Sequence, residues 1–90
     1  MSFWIREFAM HADDPERLAV RPAHREYVAR LFETGSIRMS GPLVGDEGAV
    51  MIYVAPSRDA VEELVAQDPY TLAGVVHDVS LREWTVVSGA

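Results

Sequence analysis

The stretch Ser36-Ile37-Arg38-Met39-Ser40-Gly41-Pro42-Leu43-Val44, then Gly45-Asp46-Glu47-Gly48, then Ala49-Val50-Met51-Ile52-Tyr53-Val54-Ala55, decides how the chain folds. Its middle four residues are a polar turn bounded by glycines. Runs suited to extended backbone flank them: Ser36 to Val44, finishing at Gly41-Pro42, and Ala49 to Ala55. Two strands joined by so short a turn pair antiparallel, so the segment reads as a hairpin.

Outward from the hairpin the pattern changes to helix on both sides. Upstream, Asp13-Asp14-Pro15-Glu16 reads as a helix start: an Asp cap, proline in the first turn, and acid near the positive end of the helix dipole. Pro22 disfavours α geometry at Arg21, which predicts a short turn over Pro15–Val20 and a main helix from Pro22 to Thr34, ended by Gly35. Downstream, Ser57 caps a second helix over Arg58–Gln67, stopped at Asp68-Pro69, with Tyr70–Ala73 adding one more turn before Gly74. The chain opens on Phe3–Met10 and closes on Val76–Val87, both rich in aromatic and branched residues, and both read as strands.

The resulting order, strand, helix, strand, strand, helix, strand, is the ferredoxin-like α+β layout: an antiparallel βαββαβ sheet with both helices on one face. The first strand is apolar at odd and even positions alike, as expected of a strand covered on both sides. The face opposite the helices then exposes an apolar patch, most simply covered by a second copy, which predicts a homodimer through the sheet face.

Ninety residues leave room for one domain, residues 1–90, and an apolar fraction of 49% is ample for its core. The net charge is −6 and the eight arginines are scattered singly, which excludes nucleic acid and anionic membranes as expected partners. Cysteine, lysine and asparagine are absent. There is accordingly no disulfide framework, thiolate nucleophile, Schiff-base lysine or P-loop lysine, and any proton transfer falls to His, Asp, Glu or Tyr. The amino terminus lacks a signal-peptide layout and the longest apolar run, Ala49 to Ala55, is strand-sized, so a cytoplasmic protein is expected.

Two ionisable residues sit on apolar stripes. His24 shares a helical face with Val28 and Leu31, and Asp68 follows Val61, Leu64 and Val65. A buried carboxylate needs a partner or a cleft, and a histidine sharing its site would be held in one tautomer for acid–base work. Spacing alone equally allows a structural histidine and an Asp that only terminates a helix. The two helices run roughly parallel, with His24 early in one and Asp68 at the end of the other, so the layout does not force them together. His11 and His77, with Asp13, Asp14 and Asp78, lack paired-ligand spacing, so no metal is expected. Asp59, Glu62 and Glu63 read as a solvated helix face.

In order along the chain, Arg17, Arg21-Pro22-Ala23-His24, Gly41-Pro42, Asp68-Pro69-Tyr70 and Ala73-Gly74-Val75 closely resemble the pattern of the YciI-like (YCII-related) family. The resemblance implies a dimeric ferredoxin-like α+β barrel with a pocket centred on a histidine–aspartate pair, matching His24 and Asp68. Within that family and fold it also implies proton-transfer chemistry on small oxygenated ring compounds, as in dehydrochlorinases and muconolactone isomerases, with no cofactor. Around the pair, Arg17 or Arg21 could bind a substrate carboxylate bidentately, and Ser40 and Tyr70 could donate hydrogen bonds. Two functional readings follow: a cofactor-free lyase or isomerase, or a non-catalytic module that binds a small ligand or serves assembly with a relic pocket.

Overall fold

A computed structural model describes residues 1–89. Its elements are β1 (Ser2–Ala9), α1 (Pro15–Glu33), β2 (Ile37–Pro42), β3 (Gly48–Ala55), α2 (Arg58–Ala66), α3 (Pro69–Ala73) and β4 (His77–Trp84). All strand pairs are antiparallel and the sheet order is β2-β3-β1-β4. This is the ferredoxin-like βαββαβ fold, with α3 as a short addition before the last strand.

Alternation along β1 sorts the two faces of the sheet. Trp4, Phe8 and Met10 are buried among Tyr27, Leu31, Val61, Val65 and Tyr70 of the helices, and the register sets Ala49, Met51 and Tyr53 of β3 on the same side. Between Trp4 and Phe8 the inward position of β1 is Arg6, only 1% exposed, where the pattern otherwise calls for an apolar side chain. On the far side, Phe3 pairs with Val54 and Trp84, and Ile5 with Ile52, with Met39 beside Ile52. Met39 is 64% and Trp84 45% exposed, so this apolar face is uncovered in the single chain.

The helix starts follow the caps read from the sequence. Asp14 accepts from the Glu16 N–H at 3.0 Å, with Pro15 in the first turn, and Ser57 accepts from the Ala60 N–H at 3.2 Å. Gly35 (φ 81°) and Gly74 (φ 68°) follow their helices in the left-handed conformation that ends a helix.

One boundary differs in kind. α1 does not begin at Pro22; it runs unbroken from Pro15 through Pro22 to Glu33. Pro22 lacks the N–H that would bond the Leu18 carbonyl, but Leu18, Ala19, Pro22 and Ala23 are all on the exposed side, where water can satisfy that oxygen. Burial of Arg17, Tyr27 and Leu31 on the other side holds both halves as one rod. The second strand finishes at Gly41-Pro42 as expected, and the last strand is shorter than expected. β2 ends at Pro42, since the Leu43 N–H already closes the hairpin on the Gly48 carbonyl at 2.8 Å, and β4 ends at Trp84.

Candidate functional site

The continuity of α1 puts His24 at the middle of the helix rather than near its start. At the other end of the fold, α2 stops at Ala66 and the chain turns, so that Asp68 becomes the N-cap of α3, which packs against α1. These two features bring His24 and Asp68 together. His24 Nδ1 lies 2.7 Å from Asp68 Oδ1.

Asp68 is fully buried and every oxygen has a partner. Oδ1 also accepts the Tyr70 backbone N–H at 2.9 Å, which is the α3 cap, and Oδ2 accepts Arg6 Nη1 at 2.9 Å. Burial alone would push this carboxyl up. The hydrogen bond and charge of His24, the Tyr70 N–H and the charge of Arg6 outweigh it and hold the carboxyl below its ordinary value of 3.8. Asp68 is therefore a carboxylate at neutral pH, and a carboxylate only accepts. Nδ1 of His24 must carry the proton, and the other ring nitrogen, Nε2, is left free to act as a base.

Arg6 is the residue that sequence reading passed over. From the centre of β1 it donates to Asp68, to Asp78 Oδ1 (Nε, 2.8 Å), to the Tyr53 hydroxyl (3.2 Å) and to Thr71 Oγ1 (3.1 Å), while its guanidinium lies 4.7 Å from the centre of the Phe8 ring. The signal was present: an arginine at the inward parity shared by Trp4, Phe8 and Met10 is costly unless paired. Its effect is visible on Tyr53 too. Burial pushes that phenol up to about 12, against the opposing pull of Arg6.

Tyr70 and Arg17 hold the histidine ring in place. The His24 and Tyr70 rings stack with centroids 3.9 Å apart and planes 7° from parallel. The Tyr70 hydroxyl accepts Arg17 Nη1 at 3.2 Å. Arg17, only 3% exposed, spends its other groups on the carbonyls of His11 (3.1 Å) and Ala12 (3.0 Å), tying α1 to the loop after β1. Of the four substrate-binding candidates, Arg17 is thus heavily committed within the protein, while Tyr70 accepts from it and keeps its own O–H to donate.

His24 is 13% exposed at the edge of a cavity of about 270 Å³. Phe8, Met10 and Met51 form part of its apolar wall, and Arg17, Arg21, Arg25, Ser40, Asp46 and Tyr70 contribute its polar groups. All six predicted site residues are in or beside this one cavity: Asp68 lies behind His24, and Ser40 reaches it from β2, in register with Met51. Arg25 was not singled out from the sequence. Among the described residues no group of three His, Asp or Glu is placed to hold a metal, and His11 reaches only Glu47, at 3.8 Å.

Residues 1–85 match the YCII-related domain. The chain belongs to that family. It is 34% identical over 85 residues to the derivative of benzaldehyde biosynthesis cluster protein C of Emericella nidulans, covering 81% of this chain and 87% of that one. It is 30% identical over 82 residues to protein YciI of Escherichia coli, covering 80% and 84%. Among solved structures it resembles the 5-chloro-2-hydroxyhydroquinone dehydrochlorinase of Burkholderia phenoliruptrix in complex with 2,5-dihydroxybenzoquinone, with a TM-score of 0.76, 27% identity and 94% of each chain covered. Muconolactone isomerase shares the fold, at a TM-score of 0.72 and 15% identity over 100% of this chain and 98% of that one.

Proposed function

We propose that this protein is a cofactor-free lyase or isomerase acting on a small oxygenated ring or lactone compound, with His24 as the proton-transferring group and Asp68 as its orienting partner. The observation that carries this reading is the 2.7 Å contact between His24 Nδ1 and a fully buried carboxylate, at the edge of a cavity. In the neutral state Nε2 takes a proton from carbon or a ring hydroxyl of the bound compound. In the lyase case a pair left on carbon expels a leaving group from the neighbouring carbon as its anion. A pair left on a hydroxyl oxygen instead forms the carbonyl and expels the anion, through the adjacent ring double bond, from a conjugated sp3 carbon of the keto tautomer. In the isomerase case the imidazolium returns the proton at another carbon. Asp68 stabilises the imidazolium while it exists, and Arg6 keeps Asp68 ionised.

Similarity to a dehydrochlorinase that acts on a chlorinated hydroxyhydroquinone supports the lyase form, and a single-ring compound suits the cavity volume. The test is chloride release from 5-chloro-2-hydroxyhydroquinone, with deuterium incorporation from heavy water into small lactones as the isomerase arm. Activity in the wild type that falls at least about a hundredfold in His24→Gln supports the reading, that being the lower end of what general acid–base catalysis contributes. Equal rates in both proteins sink it. Ligand binding without turnover of any kind favours the non-catalytic module instead.

The uncovered sheet face supports a second element of the reading, that the protein works as a homodimer. Light scattering should give twice the chain mass for the wild type and one chain mass for Met39→Glu/Trp84→Glu. A monomeric wild type would end that part of the proposal.

A further inference from the structure

The face of α1 turned to the cavity carries Arg17, Arg21, His24, Arg25 and Val28, a single helical stripe. In a chain of net charge −6, three of the eight arginines therefore meet at one cavity, against one acidic lining residue, Asp46. Arg17 is spent on backbone carbonyls and the Tyr70 hydroxyl. Arg21 and Arg25 are different. Among the described residues neither has a carboxylate within ion-pair distance or a hydrogen-bond partner, although Arg21 is half-buried and has already lost part of its water. Arginines four apart on a helix repel one another. Among the described residues Asp46 is the one acidic residue lining the cavity, and it is not within ion-pair distance of either. An anion in the cavity would offset the repulsion.

We propose that the cavity selects a small organic acid, whose carboxylate is held by Arg21 and Arg25 while its ring or carbon skeleton lies against Phe8, Met10 and Met51 beside His24. This rests on reading the cavity as a small-molecule site and adds the charge of the ligand. The planar guanidinium fork suits a carboxylate, which it can grip bidentately, and so fixes orientation as well as affinity. Both arginines flank His24 on the same stripe and line the same cavity, so an acid held there shares the site with the imidazole. The same cations stabilise negative charge that develops on the substrate when the proton leaves. A cavity of about 270 Å³ limits the acid to a single ring or short chain.

The test compares two near-isosteric probes, 4-hydroxybenzoate and 4-hydroxybenzamide, titrated into the isotopically labelled full chain and followed by amide and imidazole NMR signals. The expected result is that the acid shifts the signals of α1, His24 and Tyr70 and binds at least about tenfold more tightly than the amide. In Arg21→Gln/Arg25→Gln the acid should lose at least about tenfold in affinity while the amide stays as it was. Arg30→Gln, on the same helix but paired with Glu26 outside the cavity, is the control and should change neither. Equal affinities of acid and amide in the wild type overturn the charge assignment and leave the proton-transfer reading standing. No shift at the cavity with either compound overturns both. Inorganic phosphate displacing the acid at equal concentration overturns the assignment to a carboxylate.

Discussion

Removing one member of the Arg6–Asp68 pair should cost far more than removing both costs per residue. Arg6 is 1% exposed and Asp68 0%, and they meet at 2.9 Å, so solvent does not screen the pair. Arg6→Met leaves a buried carboxylate without its arginine, bonded to the His24 ring and the Tyr70 N–H, and also strands the Tyr53 hydroxyl and Thr71 bonds. Loss of one partner of a buried ion pair costs about 3–5 kcal/mol, a large share of the roughly 5–15 kcal/mol that holds a domain folded. Asp68→Asn keeps the amide oxygen that caps α3 and so isolates the charge; it should cost about 2–3 kcal/mol, because Asp78, 49% exposed, still neutralises part of Arg6. The double variant should fall short of the sum by about 2 kcal/mol, since neither charge is then left alone. Urea unfolding of the four proteins gives this directly. If the two single costs add to within about 0.5 kcal/mol, or if Arg6→Met costs less than about 1 kcal/mol as an exposed pair would, the reasoning about the buried network is wrong.

Two further outcomes follow from the same structure. The Asp68 carboxyl is held below 3.8 in the folded chain, so its contribution is complete above the unfolded value and is lost as pH falls through the folded one. Unfolding free energy should drop as pH falls below about 4, at up to about 1.4 kcal/mol per pH unit for this proton, and Asp68→Asn should show a shallower slope over the same acid range; parallel slopes would remove Asp68 as the cause. Pro22→Ala restores a hydrogen-bond donor to the exposed side of an otherwise continuous helix, and should raise stability by about 1–3 kcal/mol, or the melting temperature by several degrees, with a lower melting temperature counting against the account of α1.

Much of the fold was legible because local signals agree with it. The glycine-bounded turn, the caps at Asp14 and Ser57 and the left-handed Gly35 and Gly74 each mark an element end by a mechanism that works over a few residues. Pro22 misled because its local rule, a break at Arg21, was overridden by burial of Arg17, Tyr27 and Leu31 at long range. The site was legible in part. The stripes carrying His24 and Asp68 could be read from spacing, but their meeting depends on α3 packing under α1, which no short-range pattern encodes. Arg6 lay hidden in a strand read as apolar on both faces. Strict alternation along β1 would have exposed it as a charge pointing inward, and hence as the partner Asp68 required. Arg21 is a carboxylate-binding candidate from the sequence, but Arg25 is not, because their convergence appears only once α1 is continuous and one face of it lines a cavity.

The most direct test of the central claim is the protonation pattern of the His24 ring, read from its two nitrogen-15 chemical shifts in the neutral state. The account predicts a proton on Nδ1, donated to Asp68, and a bare Nε2, with the preference weakened or reversed in Asp68→Asn. A neutral ring carrying its proton on Nε2 in the wild type would contradict it, because His24 would then have no free base to offer a substrate and Asp68 would not be its orienting partner.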